Sequence, residues 1–259
     1  MVKTRLDALL VDRGLFESRS RAAAAVIAGS VRIGDDGRRA DKPGQMVGDD
    51  VSLAVDAPPP YVSRGGIKLA NALDALGIDP RGRRALDVGA STGGFTDCLL
   101  QRGAEHVVAL DVAYGELHWR LRGDERVTVV ERANARALAA DALPYAPDLI
   151  VADVSFISLA KVLPAVLACA APRFDCLAMV KPQFEVGRAR LGKGGVVRSA
   201  EHRREAVATV ARLVADDGYS ILGFAPSGLP GPAGNRETFV WIGEPGRVGE
   251  PAGLEGVDV

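Results

Sequence analysis

The sequence has few of the residues that build disulfide frameworks and metal sites. Its 259 residues include three cysteines and three histidines. Cys98, Cys169 and Cys176 lie in apolar contexts without C-x-x-C spacing, which favours reduced thiols in a cytoplasm. The histidines show no ligand spacing, so we expect no metal.

Net charge and long apolar runs are also lacking. The chain carries 32 basic and 33 acidic residues, a net charge of −1, so any surface that binds nucleic acid must be local. The apolar run from Val162 to Pro172 falls well short of the roughly 18 residues that a membrane span needs. Charges interrupt the first residues, and no signal peptide is apparent. We expect a soluble cytoplasmic protein that does not bind membranes.

A proline-rich boundary divides the chain. The segment "DAPPPY", 56–61, predicts a stiff spacer. Before it, Thr4 and Asp7 resemble a capping box for one helix and Ser18 an N-cap for a second, while "VRIG" and "VSLAV" predict short strands. The pattern indicates a small α+β domain over 1–58, joined by a linker over 59–65.

The first 34 residues carry a local basic excess. Six basic residues stand against three acidic ones, a difference of +3: Lys3, Arg5, Arg13, Arg19, Arg21 and Arg32 against Asp7, Asp12 and Glu17. One interpretation is a solvated helix face. The other is a phosphate-binding face, since Arg19 and Arg21 lie in the first turn of a predicted helix.

After the boundary, apolar strands alternate with helices. This order predicts an α/β fold with a mostly parallel, doubly wound, seven-stranded sheet of the Rossmann-like kind over 66–243. The last stretch, 244–259, is rich in glycine and has little to bury, so we expect it to be disordered.

The glycine turn "DVGASTGGF", 87–95, follows the first of these strands. It has neither the G-x-G-x-x-G spacing of dinucleotide sites nor the G-K-[ST] of phosphate-binding loops. An acidic residue before an open glycine turn suits S-adenosylmethionine, with Asp111 for the ribose hydroxyls and Asn134 for adenine. The predicted cofactor residues are Asp87, Gly89, Ala90, Ser91, Thr92, Gly93, Gly94, Phe95, Asp111, Asn134 and Asp153.

Four charged residues are predicted to converge beside that turn. Asp153 and Lys181 end two successive strands, and the carboxyl ends of parallel strands lie at one edge of a sheet. Glu237 begins the last strand, and Lys68 lies on the helix that enters the domain. Each could instead form an isolated salt bridge at a strand end.

The motifs "SRSRA", "YVSRGGIKL", "DVGASTGGFTD", "VADVSFISL", "MVKPQFEVG", "GKGGVV" and "PGPAGNRETF" resemble those of the TlyA family of ribosomal RNA methyltransferases, often labelled haemolysin-like. The resemblance runs from about Thr4 to Ile242. It implies an αL-type RNA-binding domain followed by an FtsJ-like methyltransferase domain, whose Lys-Asp-Lys-Glu set falls on Lys68, Asp153, Lys181 and Glu237.

The resemblance further implies methyl transfer from S-adenosylmethionine to a cytidine ribose 2′-hydroxyl in ribosomal RNA. We expect large-subunit 23S RNA as the substrate, with small-subunit 16S RNA as a second candidate, and a monomeric enzyme. The expected RNA-contacting residues are Arg5, Arg19, Arg21, Arg64 and Lys193.

Other interpretations remain open from sequence. Lys181 could be the general base or could only orient the hydroxyl. An RNA-binding protein with a vestigial methyltransferase domain is one alternative, and a pore-forming haemolysin is another. Base methylation is disfavoured, because the strand ends in "DVSF" rather than N/D-P-P-Y/F and no cysteine lies at a strand end.

Overall fold

The computed structural model describes residues 3–57 and 59–249, apart from the side chain of Arg188. The chain divides into two compact units, Met1–Pro59 and Pro60–Val259. We call them the N-terminal unit and the C-terminal unit. The division falls within the three prolines at 58–60.

The described part of the N-terminal unit contains two helices and five short strands: β1 (Lys3–Arg5), α1 (Leu6–Asp12), α2 (Arg19–Ile27), β2 (Val31–Ile33), β3 (Arg38–Arg39), β4 (Met46–Gly48) and β5 (Leu53–Val55). β1 pairs with β4, and the order β3-β2-β5 forms a second antiparallel sheet. Leu6, Leu10, Val26, Val31 and Ile33 are buried in its core. Helix and sheet therefore share one small apolar centre.

The two helices of this unit begin differently. Ser18 Oγ accepts a hydrogen bond from Arg21 N at 3.3 Å, which confirms the predicted N-cap of α2. The capping box predicted at Thr4 and Asp7 is wrong, because Thr4 lies in β1 and Arg5 precedes α1. Asp7 instead accepts hydrogen bonds from the Arg5 guanidinium at 2.7 and 3.1 Å.

The described part of the C-terminal unit contains six α-helices and seven strands: α3 (Arg64–Leu76), β6 (Arg84–Val88), α4 (Gly94–Gln101), β7 (His106–Leu110), α5 (Trp119–Arg122), β8 (Val127–Val130), β9 (Leu149–Ala152), α6 (Leu163–Leu167), β10 (Asp175–Val180), α7 (Pro182–Glu185), α8 (Ala200–Asp216), β11 (Ser220–Pro226) and β12 (Thr238–Gly243). Single 3-10 turns lie at Ala135–Ala137, Ala140–Ala142, Leu159–Lys161, Arg188–Arg190 and Lys193–Gly195.

These strands form one seven-stranded sheet in the order β11-β12-β10-β9-β6-β7-β8. In the described residues, β12 is the strand that runs antiparallel to both of its neighbours. The chain moves outward from β6 through β7 to β8, then returns to β9 on the other side of β6. Strand order thus reverses between β6 and β9, where ligands bind in such sheets.

Helices cover both faces of the sheet. Leu69 and Leu73 of α3 and Leu99 of α4 are buried on one face, and Val207 and Val210 of α8 on the other. The α/β class and the doubly wound, mostly parallel sheet are confirmed. None of the helices in the described ranges is long and apolar enough to cross a membrane.

The predicted disordered tail begins with ordered residues. Arg247 donates a hydrogen bond to Asp175 Oδ1 at 2.8 Å, and Glu244 accepts one from Phe174 N at 3.2 Å. The expectation is therefore wrong for 244–249, because these charged side chains satisfy buried polar groups at the start of β10. Residues 250–259 lie outside the described residues.

Candidate active site

The loop after β6 passes directly over the end of β9. Gly89 has φ +86°, and a Cβ atom there would lie 2.4 Å from the carbonyl oxygen of Asp153. Glycine is required both by the left-handed backbone and by this close approach. The loop therefore leaves a smooth backbone surface at the point where strand order reverses.

A cavity of about 490 Å³ opens above this loop. That volume lies within the range of small-molecule sites. Its lining residues come from the α3 start, the glycine loop, the ends of β9 and β10, and the segment before β12: Ser63, Arg64, Gly65, Lys68, Gly89, Ala90, Ser91, Thr92, Gly94, Phe95, Asp153, Lys181, Pro232 and Glu237. All four predicted catalytic residues line one cavity.

Lys181 and Asp153 form one of two ion pairs in the cavity. Lys181 follows β10 and precedes Pro182, the first residue of α7, and Asp153 follows the neighbouring parallel strand β9. Lys181 Nζ lies 2.5 Å from Asp153 Oδ1 and donates to Ser155 Oγ at 2.7 Å. The lysine side chain is 12% exposed, and one hydrogen bond and one ion pair hold it at the cavity wall, while Asp153 Oδ1 accepts no hydrogen bond in the described residues.

Lys68 and Glu237 form the second ion pair. Lys68 lies on the second turn of α3 and Glu237 precedes β12. Their side chains are 8% and 2% exposed and are hydrogen-bonded to each other. Charges this deeply buried require a partner, so each residue holds the other in the wall of the cavity.

Asp87 does not lie where the cofactor interpretation placed it. Its side chain is fully buried, away from the cavity lining, and its Oδ2 accepts hydrogen bonds from Thr96 N at 2.9 Å and Thr96 Oγ1 at 2.7 Å. Burial raises the pKa of Asp87 to about 7. These hydrogen bonds hold the first turn of α4 against the end of β6, beneath the glycine loop.

Asp111 shapes the loop from the neighbouring strand end. Its Oδ2 accepts from Ser91 N and its Oδ1 from Ala113 N, each at 2.7 Å. Asp111 lines a smaller cavity beside the first, together with Ala90 and Ser91. This smaller cavity measures about 10 Å³, which is room for roughly one water molecule.

Two predicted cofactor residues have other contacts. Asn134 Oδ1 accepts from Arg136 N at 3.1 Å and caps a 3-10 turn outside both cavities. Gly93 has φ +93°, and a Cβ atom there would lie 2.2 Å from the Leu121 side chain. The structure thus gives Gly93 a packing role and Asn134 a capping role.

The structure adds cavity residues that the sequence analysis missed. Ser63, Gly65 and Pro232 line the cavity, and Ser155 bonds Lys181. Ser155 stands two positions after Asp153 in the motif "VADVSF". This short spacing from a predicted catalytic carboxylate could have identified Ser155 as a site residue from the sequence. Nothing comparable marks Pro232, because its place depends on the fold of the chain between β11 and β12.

The arginines predicted to contact RNA in the N-terminal unit have carboxylate partners. Asp7 accepts from Arg5 and also from Arg19, at 3.2 Å, and Arg21 pairs with Glu17. The Arg5 hydrogen bond lowers the pKa of Asp7 to about 2. Residues 1–59 hold nine basic and nine acidic side chains, a net charge of zero. The basic excess of the first 34 residues is thus balanced within the unit.

The other two predicted RNA contacts lie in the C-terminal unit. Arg64 lines the cavity and donates to the carbonyl of Pro230 at 2.8 Å. Lys193 is exposed in the 3-10 turn at Lys193–Gly195. Both side chains are exposed to solvent.

The chain is similar to known methyltransferases and to proteins labelled hemolysins. Residues 61–244 match the model of the FtsJ-like methyltransferase family. The chain is 52% identical to the 16S/23S rRNA (cytidine-2′-O)-methyltransferase TlyA of Mycobacterium tuberculosis, over 93% of this chain and 90% of that protein. It is 36% identical to Hemolysin A of Brachyspira hyodysenteriae, over 90% and 97%. A solved Streptococcus thermophilus structure that carries the hemolysin label has a TM-score of 0.74 and 38% identity, over 98% and 94%.

Proposed function

Since the chain belongs to the FtsJ-like methyltransferase family, we propose that it methylates the ribose 2′-hydroxyl of a cytidine in ribosomal RNA, with S-adenosylmethionine as donor. The observation that carries this proposal is the convergence of two lysine–carboxylate pairs on one cavity beside a glycine loop. The 23S RNA is the primary substrate, and 16S RNA is a second candidate because the Mycobacterium tuberculosis relative is named for both.

The residues at the reversal of strand order fit such a donor. The bare backbone at Gly89 offers room for close approach, and Asp111 lies beside a second small cavity with its carboxylate near two backbone N–H groups. When bound, S-adenosylmethionine supplies an electrophilic methyl group on a positively charged sulfur. The loop 89–95 and Asp111 would hold it, while Asp87 supports the loop from beneath.

Lys181 positions the attacking oxygen. An ammonium group has three N–H donors; one is directed to Ser155 Oγ, and Asp153 Oδ1 is an ion-pair partner that accepts no hydrogen bond in the described residues. A remaining N–H can reach the 2′-oxygen, whose lone pair must be aligned with the methyl carbon. We therefore assign Lys181 an orienting role, and the hydroxyl proton passes to solvent. The buried Lys68–Glu237 pair lines the same cavity, and its two charges neutralise each other.

We also propose that the N-terminal unit, over 1–58, binds ribosomal RNA through exposed arginines, and that 59–65 links it to a methyltransferase domain over 66–243. Arg64 and Lys193 are exposed and are proposed as further phosphate contacts. The enzyme acts in the cytoplasm, where its substrate is, as a monomer without a metal.

A direct assay tests the proposal. The purified protein is incubated with methyl-labelled S-adenosylmethionine and with 50S or 30S ribosomal subunits that lack ribose methylation, and the RNA is digested to nucleosides. We expect labelled 2′-O-methylcytidine from 50S subunits. Lys181→Ala should retain cofactor binding, measured by calorimetry, but less than a tenth of the wild-type rate. Label on a base, or none with either subunit, would refute the proposed function.

The role of Lys181 is tested separately. Lys181→Arg keeps a cationic N–H donor that cannot accept a proton, so an orienting role predicts a higher single-turnover rate in Lys181→Arg than in Lys181→Ala. Equal rates in the two variants would contradict the orienting role.

A further inference from the structure

The segment after β7 exposes an unusual number of large apolar side chains. Val112, Tyr114 and Trp119 are 72%, 68% and 73% exposed, within eight consecutive residues. Monomeric soluble proteins seldom expose such side chains together without a binding role. This segment follows Asp111 and therefore lies at the same sheet edge as the cavity.

Cationic side chains accompany the aromatic ones. The Arg132 guanidinium lies 4.3 Å from the centre of the Tyr114 ring, and that of Arg120 lies 5.4 Å from the centre of the Trp119 ring. The His118 ring is stacked beside Trp119 at 5.7 Å with an interplanar angle of 27°. We call Tyr114, His118, Trp119, Arg120 and Arg132 the Trp119 patch.

Glu131 joins the two halves of this patch. Its carboxylate accepts from Gly115 N at 2.9 Å and forms an ion pair with Arg122 of α5, the helix that carries Trp119. Arg132 N in turn donates to Ala113 O at 3.2 Å. These contacts tie the loop that carries Tyr114 to the helix that carries Trp119.

The charges of the patch remain available to a partner. Arg120 and Arg132 form no ion pair within 4 Å in the part of the chain that the structure describes, and both are exposed. Exposed aromatic rings interleaved with free arginines match unpaired nucleic acid, whose bases stack on rings while its phosphates attract cations.

We propose that the Trp119 patch binds an unpaired nucleotide of the substrate RNA near the target, with one base stacked on Trp119 and phosphates contacted by Arg120 and Arg132. This inference rests on the proposed function, since it assigns a second contact for the same RNA. The proposed RNA contact lies in the C-terminal unit, whereas Arg5, Arg19 and Arg21 belong to the N-terminal unit.

Tryptophan fluorescence gives a direct test that needs no methyl transfer. The chain has two tryptophans, and Trp241 is half-buried with its Nε1 donating to Asp175 Oδ1 at 2.8 Å. The Trp241→Phe variant thus leaves Trp119 as the reporter. Three probes are compared: a single-stranded RNA of about twelve nucleotides, the same strand paired with its complement, and inorganic polyphosphate.

We expect the single strand to quench Trp119, while the duplex and polyphosphate quench it little, because only unpaired bases can stack. In the otherwise wild-type chain, Trp119→Phe should abolish the response, which leaves the experiment valid if Trp241→Phe fails to fold. Equal quenching by polyphosphate, or no quenching by the single strand, would overturn the inference.

Kinetics supply the second measurement. Trp119→Ala should raise KM for ribosomal RNA by about 5- to 150-fold, the equivalent of 1–3 kcal/mol for one stacked base, with kcat and the cofactor Kd unchanged. Trp119→Tyr should restore most of the loss. Leu213→Ala, which removes an exposed apolar side chain from α8, should leave KM unchanged. If wild-type protein methylates RNA but Trp119→Ala has normal KM, the inference fails while the proposed function stands.

Discussion

Ser155 Oγ lies 2.7 Å from Lys181 Nζ, while Ser158 Oγ, three residues later, lies 2.6 Å from Glu185 Oε2. The two serines thus provide a matched pair of changes. We expect Ser155→Ala to lower kcat about tenfold, since hydrogen bonds to charged groups contribute about 1.5–3 kcal/mol and Ser155 is exposed, without changing the cofactor Kd. Ser155→Thr should recover the rate. Ser158→Ala should leave kcat alone and lower the free energy of unfolding.

The measurement is a single-turnover methylation rate beside a denaturant titration for each variant. A normal rate in Ser155→Ala would show that Asp153 alone positions the lysine. Equal loss in both serine variants would point to a disturbed loop rather than to a misplaced ammonium.

Asp87 makes the stability of the free protein depend on pH. Because burial raises its pKa to about 7 from an ordinary value near 3.9, the folded protein keeps a proton that the unfolded chain releases between those pH values. The free energy of unfolding therefore falls as pH rises from about 4 to 7. Asp87→Asn retains an oxygen for Thr96 but cannot ionise.

We expect Asp87→Asn and wild type to have similar stability at pH 5, and the variant to be more stable at pH 8. Urea titrations at both pH values provide the measurement. Parallel pH profiles for the two proteins would show that Asp87 is not protonated in the folded state near neutrality.

At the scale of elements, the loop between β6 and α4 is tightly constrained. Gly89→Ala places a Cβ atom against the Asp153 carbonyl and in a left-handed backbone, whereas Gly77→Ala at the end of α3 has φ +67° with nothing within 4 Å. Comparing the two variants separates the effect of steric crowding from that of backbone strain. A left-handed backbone costs a non-glycine residue about 1–2 kcal/mol. We expect both to lower stability, but only Gly89→Ala to raise the cofactor Kd, by tenfold or more in calorimetry.

An unchanged cofactor Kd in Gly89→Ala would show that this loop does not bind the cofactor. A raised cofactor Kd in both variants would mean that backbone strain elsewhere in the domain also weakens binding. The effect of Gly89→Ala would then not identify the loop as the cofactor site.

The order of elements in the C-terminal unit was predictable because apolar strands with intervening helices dictate a parallel sheet. The side on which a strand residue points was harder to infer. Leu86 and Val88 face one core and Ala85 the other, and Asp87 shares the Ala85 side because side chains alternate. It therefore meets Thr96 of α4 rather than the cavity. The pairing of Lys68 with Glu237 depends on tertiary structure that no local pattern contains.

At the scale of the whole molecule, the N-terminal unit is predicted to bind RNA without affecting the cofactor. Arg19→Ala with Arg21→Ala should weaken binding to ribosomal RNA and reduce the slope of log affinity against log salt by about 0.7–0.9 per lost phosphate contact. The control is Arg173→Ala, an 87% exposed arginine that precedes β10 at the opposite strand ends from the cavity. Filter binding at several salt concentrations provides the measurement.

The same slope in the double variant and in wild type would show that Asp7 and Glu17 already neutralise these arginines. A matching loss in Arg173→Ala would indicate unspecific attraction to the whole surface.

The antiparallel direction of β12 has a consequence for biosynthesis. Because this strand runs against its neighbours, its first residues lie at the edge where the others end, and Glu237 reaches the cavity from there. Its partner Lys68 stands 169 positions earlier. A growing polypeptide can fold its N-terminal unit early, but it cannot neutralise Lys68 until nearly the whole chain has been translated. The part of the cavity wall that Lys68 and Glu237 form is therefore completed only when the last strand joins the sheet.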